Sequence, residues 1–245
     1  MSSLYPKPEY IPAKSLTNKC IVIDLDQTLI ATQEKIESLY ALGIMTNPKL
    51  MELRKRIYYF SLEDIETPGS GAKSEFWGVV RPHVYEFLIF CFSYFKVVAI
   101  WSAGQRHYVN AIVEYLFRDL PNPHLVLTHD DLLYESDGVF RKPLTTAFAD
   151  PQVGKYMNIR NTMALDDNPM TYYLNDDNGL LIPEYDPSLN IDAFQRDDPT
   201  LLQLRYWLVQ PEVIRSNDVR TLDKSTIFTK SVASYLAHPF VANFR

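Results

Sequence analysis

The run Cys20-Ile21-Val22-Ile23 leads straight into Asp24-Leu25-Asp26-Gln27-Thr28-Leu29. That junction limits the folds open to this chain more than any other feature. The apolar, largely β-branched run reads as a buried strand. Alternate residues of a strand share a face, so two aspartates two positions apart can present both carboxylates to one site. Carboxylates this close repel unless a cation or a shared proton intervenes. A hard divalent metal with acid/base or nucleophilic chemistry is the simplest use for them. Asp and Thr are also common turn and cap residues, so a strand entering an Asp-rich turn is the plainer reading of the motif alone.

The rest of the chain narrows the choice. Its 245 residues suit one large domain, or one domain with an insertion. A hydrophobic share of 47% against 22% charged residues is the balance of a soluble globular protein. A net charge of −6 argues against gripping nucleic acid by bulk electrostatics, so no direct nucleic-acid binding is expected. Cys20 and Cys91 both lie in apolar stretches and read as buried thiols, which fits a reducing, intracellular compartment, nuclear or cytoplasmic. Met1 to Lys14 carries no apolar signal core. The longest apolar run, Val84 to Ile100, is broken by Glu86, Ser93 and Lys96, so no membrane span is expected.

Read in order, residues 1–18 form a proline-dotted arm and 19–25 the first strand. A helical pattern is expected over 33–42, with a further helical turn over 49–54. Arg56 to Leu62 and Ser74 to Val80 are rich in aromatic and β-branched residues and flank Thr67-Pro68-Gly69-Ser70-Gly71, a hairpin signature. Residues 31–80 therefore read as a helix-plus-hairpin insertion after the first strand. Arg81-Pro82 opens a helix. Strands are expected over 95–100, 124–127, 162–165 and 180–182, with helices over 105–117, 199–209 and 216–222. Residues 129–142 read as a polar excursion, and 223–245 as a tail of no clear pattern. Such alternation predicts an α/β domain over 19–222 with a mostly parallel sheet.

Ligands of such sheets sit at the carboxyl ends of the strands. Asp24, Asp26, Ser102, Asp166 and Asp167 all fall at such ends. With Lys142 they form the set that phosphate transfer to a carboxylate needs. A metal neutralises the nucleophile and the phosphate, a hydroxyl and a lysine hold the phosphate oxygens, and a second carboxyl protonates the leaving oxygen. Each has an ordinary alternative: Lys142 beside Arg141 as a solvated pair, Ser102 as a helix cap, Asp166-Asp167 before Asn168-Pro169 as a turn.

The set resembles the haloacid dehalogenase superfamily of aspartate-nucleophile phosphatases, and within it the NLI-interacting-factor-like branch (FCP/SCP-type) that acts on the C-terminal domain of RNA polymerase II. The likeness rests on Asp24-Leu25-Asp26-Gln27-Thr28, Arg81-Pro82-His83-Val84-Tyr85-Glu86-Phe87-Leu88, Trp101-Ser102-Ala103-Gly104, Lys142 and Leu165-Asp166-Asp167-Asn168-Pro169. It implies a Rossmann-like parallel sheet with helices on both faces. It also implies Asp24 as nucleophile and metal ligand, with Asp26 as acid/base and carbonyl donor to the metal. Thr28 supports the loop, Ser102 and Lys142 hold phosphoryl oxygens, and Asp167 with Asp166 completes a Mg²⁺ site. Tyr108 and the insertion's aromatics, Tyr59 and Trp77 among them, would wall an apolar pocket for a proline, with Ala103 on the substrate side. Gln27 stands where the family usually has Glu. The small polymerase phosphatases have an arginine around the position of His129-Asp130-Asp131.

The expected function is Mg²⁺-dependent protein serine/threonine phosphatase chemistry on a phosphoprotein or phosphopeptide, with the insertion governing substrate choice and doing no chemistry. A phosphatase of a small metabolite or nucleic-acid end, and a module kept for partner contacts in an assembly, are the alternatives. For the last, the N-terminal arm and C-terminal tail are the candidate docking segments.

Overall fold

Why the first strand is so apolar is explained by its place in the sheet. The computed structural model describes residues 15–63 and 69–236. In chain order the elements are β1 (Cys20–Ile23), β2 (Ile30–Gln33), α1 (Ile36–Leu42), α2 (Met51–Arg54), β3 (Ile57–Glu63), β4 (Lys73–Val80), α3 (Val84–Tyr94), β5 (Val97–Trp101), α4 (Arg106–Phe117) and β6 (Leu125–Leu127). There follow β7 (Leu133–Tyr134), β8 (Phe140–Arg141), α5 (Leu144–Phe148), β9 (Thr162–Asp166), β10 (Gly179–Leu181), α6 (Ile191–Gln195), α7 (Thr200–Leu208), α8 (Pro211–Arg215) and α9 (Val232–Leu236). The main sheet runs β10-β9-β1-β5-β6, parallel throughout. β1 is its middle strand, paired at Ile23 with Ile100 on one side and Leu165 on the other.

Side-chain alternation sorts the strands into two cores. Ile21, Ile23, Val98, Ile100, Met163 and Leu165 face α3, α4 and α7. Cys20, Val22, Val97, Ala99 and Ala164 face the thinner layer around Leu144, Ala147, Val153 and Met157. The expected α/β sheet with helices on both faces is what the structure contains, with most of the helical mass on one face. Among the described residues no helix is long and apolar enough to cross a membrane.

The insertion differs from expectation. Residues 30–33 are not a helix start but an edge strand, completing a three-stranded antiparallel sheet β2-β4-β3. Asp26 makes an isolated bridge with Ile30, and the Gln27 N–H donates to the Ile30 carbonyl at 2.7 Å, so the chain folds back at once after β1. Gln27 sits at φ 59°, a conformation that strains a side chain and that is held here by the surrounding bonds. α1 then begins at Ile36, and a small core of Ile36, Leu39, Leu53, Ile57, Trp77 and Phe194 forms beneath it.

Two other expectations shift. The helix after Arg81-Pro82 starts only at Val84, because His83 takes a left-handed conformation at φ 66°. Arg81 still completes the strand, its N–H donating to the Leu29 carbonyl at 2.9 Å. Residues 216–222 hold only a 3-10 turn, Val219–Thr221, and the helix lies earlier, at α8. Ser216 and Asp218 turn the chain there: Ser216 Oγ accepts from the Asp218 N–H at 3.1 Å and Asp218 Oδ1 from the Arg220 N–H at 3.1 Å. The polar excursion carries the β7–β8 ribbon. Beyond 222 the chain still packs on the domain: Ile227 is buried in the larger core and Gln203 Nε2 donates to the Lys230 carbonyl at 2.7 Å. Most of the N-terminal arm (1–14) and residues 237–245 of the tail lie outside the described residues.

Trp77 and Tyr59 pair across β3 and β4 but meet different surroundings. Trp77 is 0% exposed, donates Nε1 to the Lys35 carbonyl and Ser38 Oγ, and stands edge-on to Phe194. Tyr59 is 63% exposed. Trp77→Ala should therefore cost about 3–5 kcal/mol of stability, and Tyr59→Ala no more than about 0.5 kcal/mol. Urea denaturation of the two variants checks this.

Candidate active site

Asp24 continues β1 by one hydrogen-bonded step, its N–H donating to the Leu165 carbonyl at 2.9 Å. This brings it beside the end of β9. Lys142 arrives from the segment after β8, its Nζ donating to Asp24 Oδ1 at 2.5 Å and to Asp166 Oδ2 at 2.7 Å. All three side chains are buried. Asp166 Oδ1 accepts from the Asn168 N–H at 2.9 Å, and Thr28 Oγ1 donates to Asp167 Oδ1 at 3.2 Å. Carboxylate oxygens of Asp24, Asp166 and Asp167 lie within 4.8 Å of one another.

Electrostatics follow from the crowding. Burial pushes the Asp24 carboxyl up to about 8; Lys142 pulls it down, and Asp166 and Asp26 push it up further. Burial alone would lower the Lys142 pKa, but Asp24 and Asp166 hold it above its usual value. Burial, with Asp166, raises Asp167 as well. One ammonium thus faces three carboxylates, and this donor set of hard oxygens is the kind a small divalent cation takes.

Asp26 turns away from that cluster. Its Oδ1 accepts from Thr32 Oγ1 at 2.9 Å and, in a very short bond, from the Tyr108 hydroxyl. Thr32 Oγ1 also lies 2.7 Å from the Tyr58 hydroxyl and 2.5 Å from that of Tyr108. Burial raises the Asp26 pKa while Tyr108, Thr32, Lys142 and Ser102 oppose it. Ser102 is buried at the end of β5, with Oγ accepting from the Gly104 N–H at 3.0 Å rather than capping α4. Ala103 is exposed on the same loop.

The insertion presents its other face. Register places Thr32 and Tyr58 opposite Gly78, and Phe60 opposite Phe76. These residues look toward Tyr108: the Phe60 and Phe76 ring centroids lie 5.7 Å from each other, and 6.1 and 5.6 Å respectively from that of Tyr108. A Cβ on Gly78 would collide with the Tyr58 hydroxyl. Only glycine there lets Tyr58 reach Thr32. The expectation that Tyr59 and Trp77 wall the pocket is corrected, because in a strand a shift of one residue changes the face. Phe76 lines the cavity beside Tyr108, with Tyr58 and Phe60 on the same face of the sheet behind it, and the signal was the alternation itself. Thr32 went unnoticed because residues 30–33 were read outside any strand.

Elsewhere, Asp130 pairs with Arg106 at 2.8 Å and Asp131 caps the turn at Thr128. Buried Arg81 donates to the Thr28 carbonyl at 3.0 Å, to the Pro183 carbonyl at 2.9 Å and to Asp198 at 2.8 Å. It was read only as a helix opener, yet it anchors the loop that carries Asp24 and Asp26.

A sequence model of the NLI interacting factor-like phosphatase family matches residues 19–220. The chain belongs to that family. No curated protein sequence matches it. Among solved structures, fission yeast Fcp1, an RNA polymerase II C-terminal-domain phosphatase captured as a variant with beryllium fluoride, is 20% identical with a TM-score of 0.54. That match covers 69% of this chain and 42% of the other. A second Fcp1 structure, described as an essential phosphatase of the same polymerase domain, is 20% identical with a TM-score of 0.55, over 71% and 44%. Both report the fold alone, and this chain spans less than half of either. The family's haloacid-dehalogenase-like sheet is the one described above.

Mg²⁺ should raise the unfolding temperature by about 5–10 °C at a hundredfold excess over Kd. Because the cation competes with the proton that Asp24 retains up to about 8, the gain should grow between about pH 6 and 8.5. Asp167→Asn should reduce it. Differential scanning fluorimetry across that pH range reads both.

Proposed function

We propose that this protein hydrolyses phosphoserine or phosphothreonine in a peptide through an aspartyl-phosphate on Asp24. The observation that carries the reading is the division of labour between two aspartates two residues apart. Asp24 lies against Lys142, while Asp26 is held away from it by Thr32 and Tyr108. Two carboxyls in unlike environments are how one site holds a nucleophile and an acid together.

In this scheme an Asp24 oxygen attacks phosphorus and the bond from phosphorus to the serine oxygen breaks. Asp26 gives its proton to that departing oxygen. Water then attacks the acyl phosphate, Asp26 takes the water's proton, and Asp24 and inorganic phosphate are released. Lys142 and Ser102 hold the phosphoryl oxygens. Asp24, Asp166 and Asp167 are the residues that would hold Mg²⁺, whose charge, when bound, offsets repulsion between the Asp24 carboxylate and a phosphate dianion. Thr32 and Tyr108 aim the Asp26 carboxyl, so the insertion contributes to the chemistry as well as to selection. Family membership supports phosphatase activity; the choice of serine or threonine follows from the motif resemblance drawn from the sequence.

Wild-type protein should hydrolyse p-nitrophenyl phosphate with Mg²⁺ and stop with EDTA, and Asp24→Asn should remove turnover and the burst of phosphoenzyme. No hydrolysis of any phosphate ester with Mg²⁺ present would sink the proposal.

Thr32→Val should slow phenyl phosphate, a poor leaving group, by about tenfold, the worth of one hydrogen bond to a charged group, while p-nitrophenyl phosphate changes little. Equal losses on both esters would mean that Thr32 only holds the loop.

A further inference from the structure

Beside Asp26 opens a cavity of about 330 Å³, lined by Asp26, Thr32, Glu34, Phe76, Gln105 and Tyr108. Asp26, the proposed proton donor to the leaving oxygen, and its partner Thr32 both line it. A side chain adjoining the phosphorylated residue would therefore enter it. The Phe76 and Tyr108 rings, tilted by 60° to each other, make two of its walls. Gly104 at the mouth keeps it open, since a Cβ there would come within 2.7 Å of the Tyr108 ring.

The mouth is not apolar. Gln105 and Glu34, two residues past Thr32, both line the cavity, and Glu34 is exposed with no hydrogen bond or ion pair among the described residues. Of the basic residues nearby, Lys73 pairs with Glu63 at 3.2 Å and Arg106 with Asp130 at 2.8 Å, while Lys35 shares with Glu34 the lining of the adjoining cavity and not of this one. No lysine or arginine lines the cavity. A free carboxylate above two aromatic walls suits a cation, which gains from the charge and from the ring faces together. A neutral apolar side chain would use the rings and leave Glu34 without a partner.

We propose that this cavity receives an arginine or lysine side chain next to the phosphorylated residue of the substrate, with Glu34 as the residue that selects it. The inference rests on the phosphatase reading above and adds the substrate class. The overall charge of −6 favours the same partner, a phosphopeptide with a basic flank.

The test uses two phosphoserine peptides that differ only in arginine against citrulline beside the phosphoserine. The ratio of their kcat/KM values should be about three to ten at low salt, the scale of an exposed cation–π and ion-pair contact, and should shrink as salt rises. Taking the ratio within each enzyme cancels any general loss of activity. Glu34→Gln should lower it to the part that the rings alone supply and remove its salt dependence, and Glu37→Gln, outside the cavity, should leave it as in the wild type. Binding of the matching non-hydrolysable phosphonate peptides, by calorimetry, should show the same ratio without turnover. Arginine preference in phosphonate binding with no turnover on any ester would support the subsite and overturn the hydrolase reading. Equal handling of arginine and citrulline, a preference for norleucine or proline, or a ratio unmoved by Glu34→Gln would overturn the inference.

Discussion

One buried ammonium, Lys142, ties together the carboxyl ends of two neighbouring strands. Its two short bonds join Asp24 on β1 to Asp166 on β9. Removing such charges from water is costly, and one partner alone would not offset it. The chain spends this cost at the carboxyl edge of the sheet, and it leaves an excess of negative charge there. That imbalance is poor for a resting core and suits the cation and phosphate that the proposed function would bring there. The apolar run of β1 is the counterpart: a strand fully enclosed by β5 and β9 can hold its last residue at a fixed point.

Asp26 is governed from outside the sheet. Its partners Thr32, Tyr108 and, one bond further, Tyr58 come from β2, α4 and β3. Tyr108 also touches the aromatic face of Phe60 and Phe76. Under the proposed function, a substrate leaning on those rings would press on the group that aims the proton. On that proposal, recognition and proton transfer would share one hydroxyl network, so selection and rate are expected to vary together when that face is altered.

How much could be read beforehand follows from the range of the interactions involved. The parallel sheet was legible because β-branched runs alternate with helical stripes, and the strand-end aspartates because a motif marks them locally. Lys142 was legible only through family likeness, since beside Arg141 it looks like a surface pair. The aromatic face was misassigned by one position: Tyr59 and Trp77 are as β-prone as Tyr58 and Phe76, and only pairing register tells inside from outside. Residues 30–33 did not show as a strand because their partner, β4, lies across the whole insertion. Arg81 was invisible as an anchor because all of its side-chain partners are distant in sequence.

That last feature bears on how the molecule is made. The Thr28 carbonyl is fastened by Arg81, and the same guanidinium is fastened in turn by Pro183 and Asp198. During synthesis Asp24 leaves the ribosome early, but the bracket that sets its loop is complete only once residue 198 has emerged. A nascent or proteolytically shortened chain lacking that stretch would carry every reactive carboxylate of the first strand and no fixed arrangement of them. Chemical competence is thereby tied to completion of the fold.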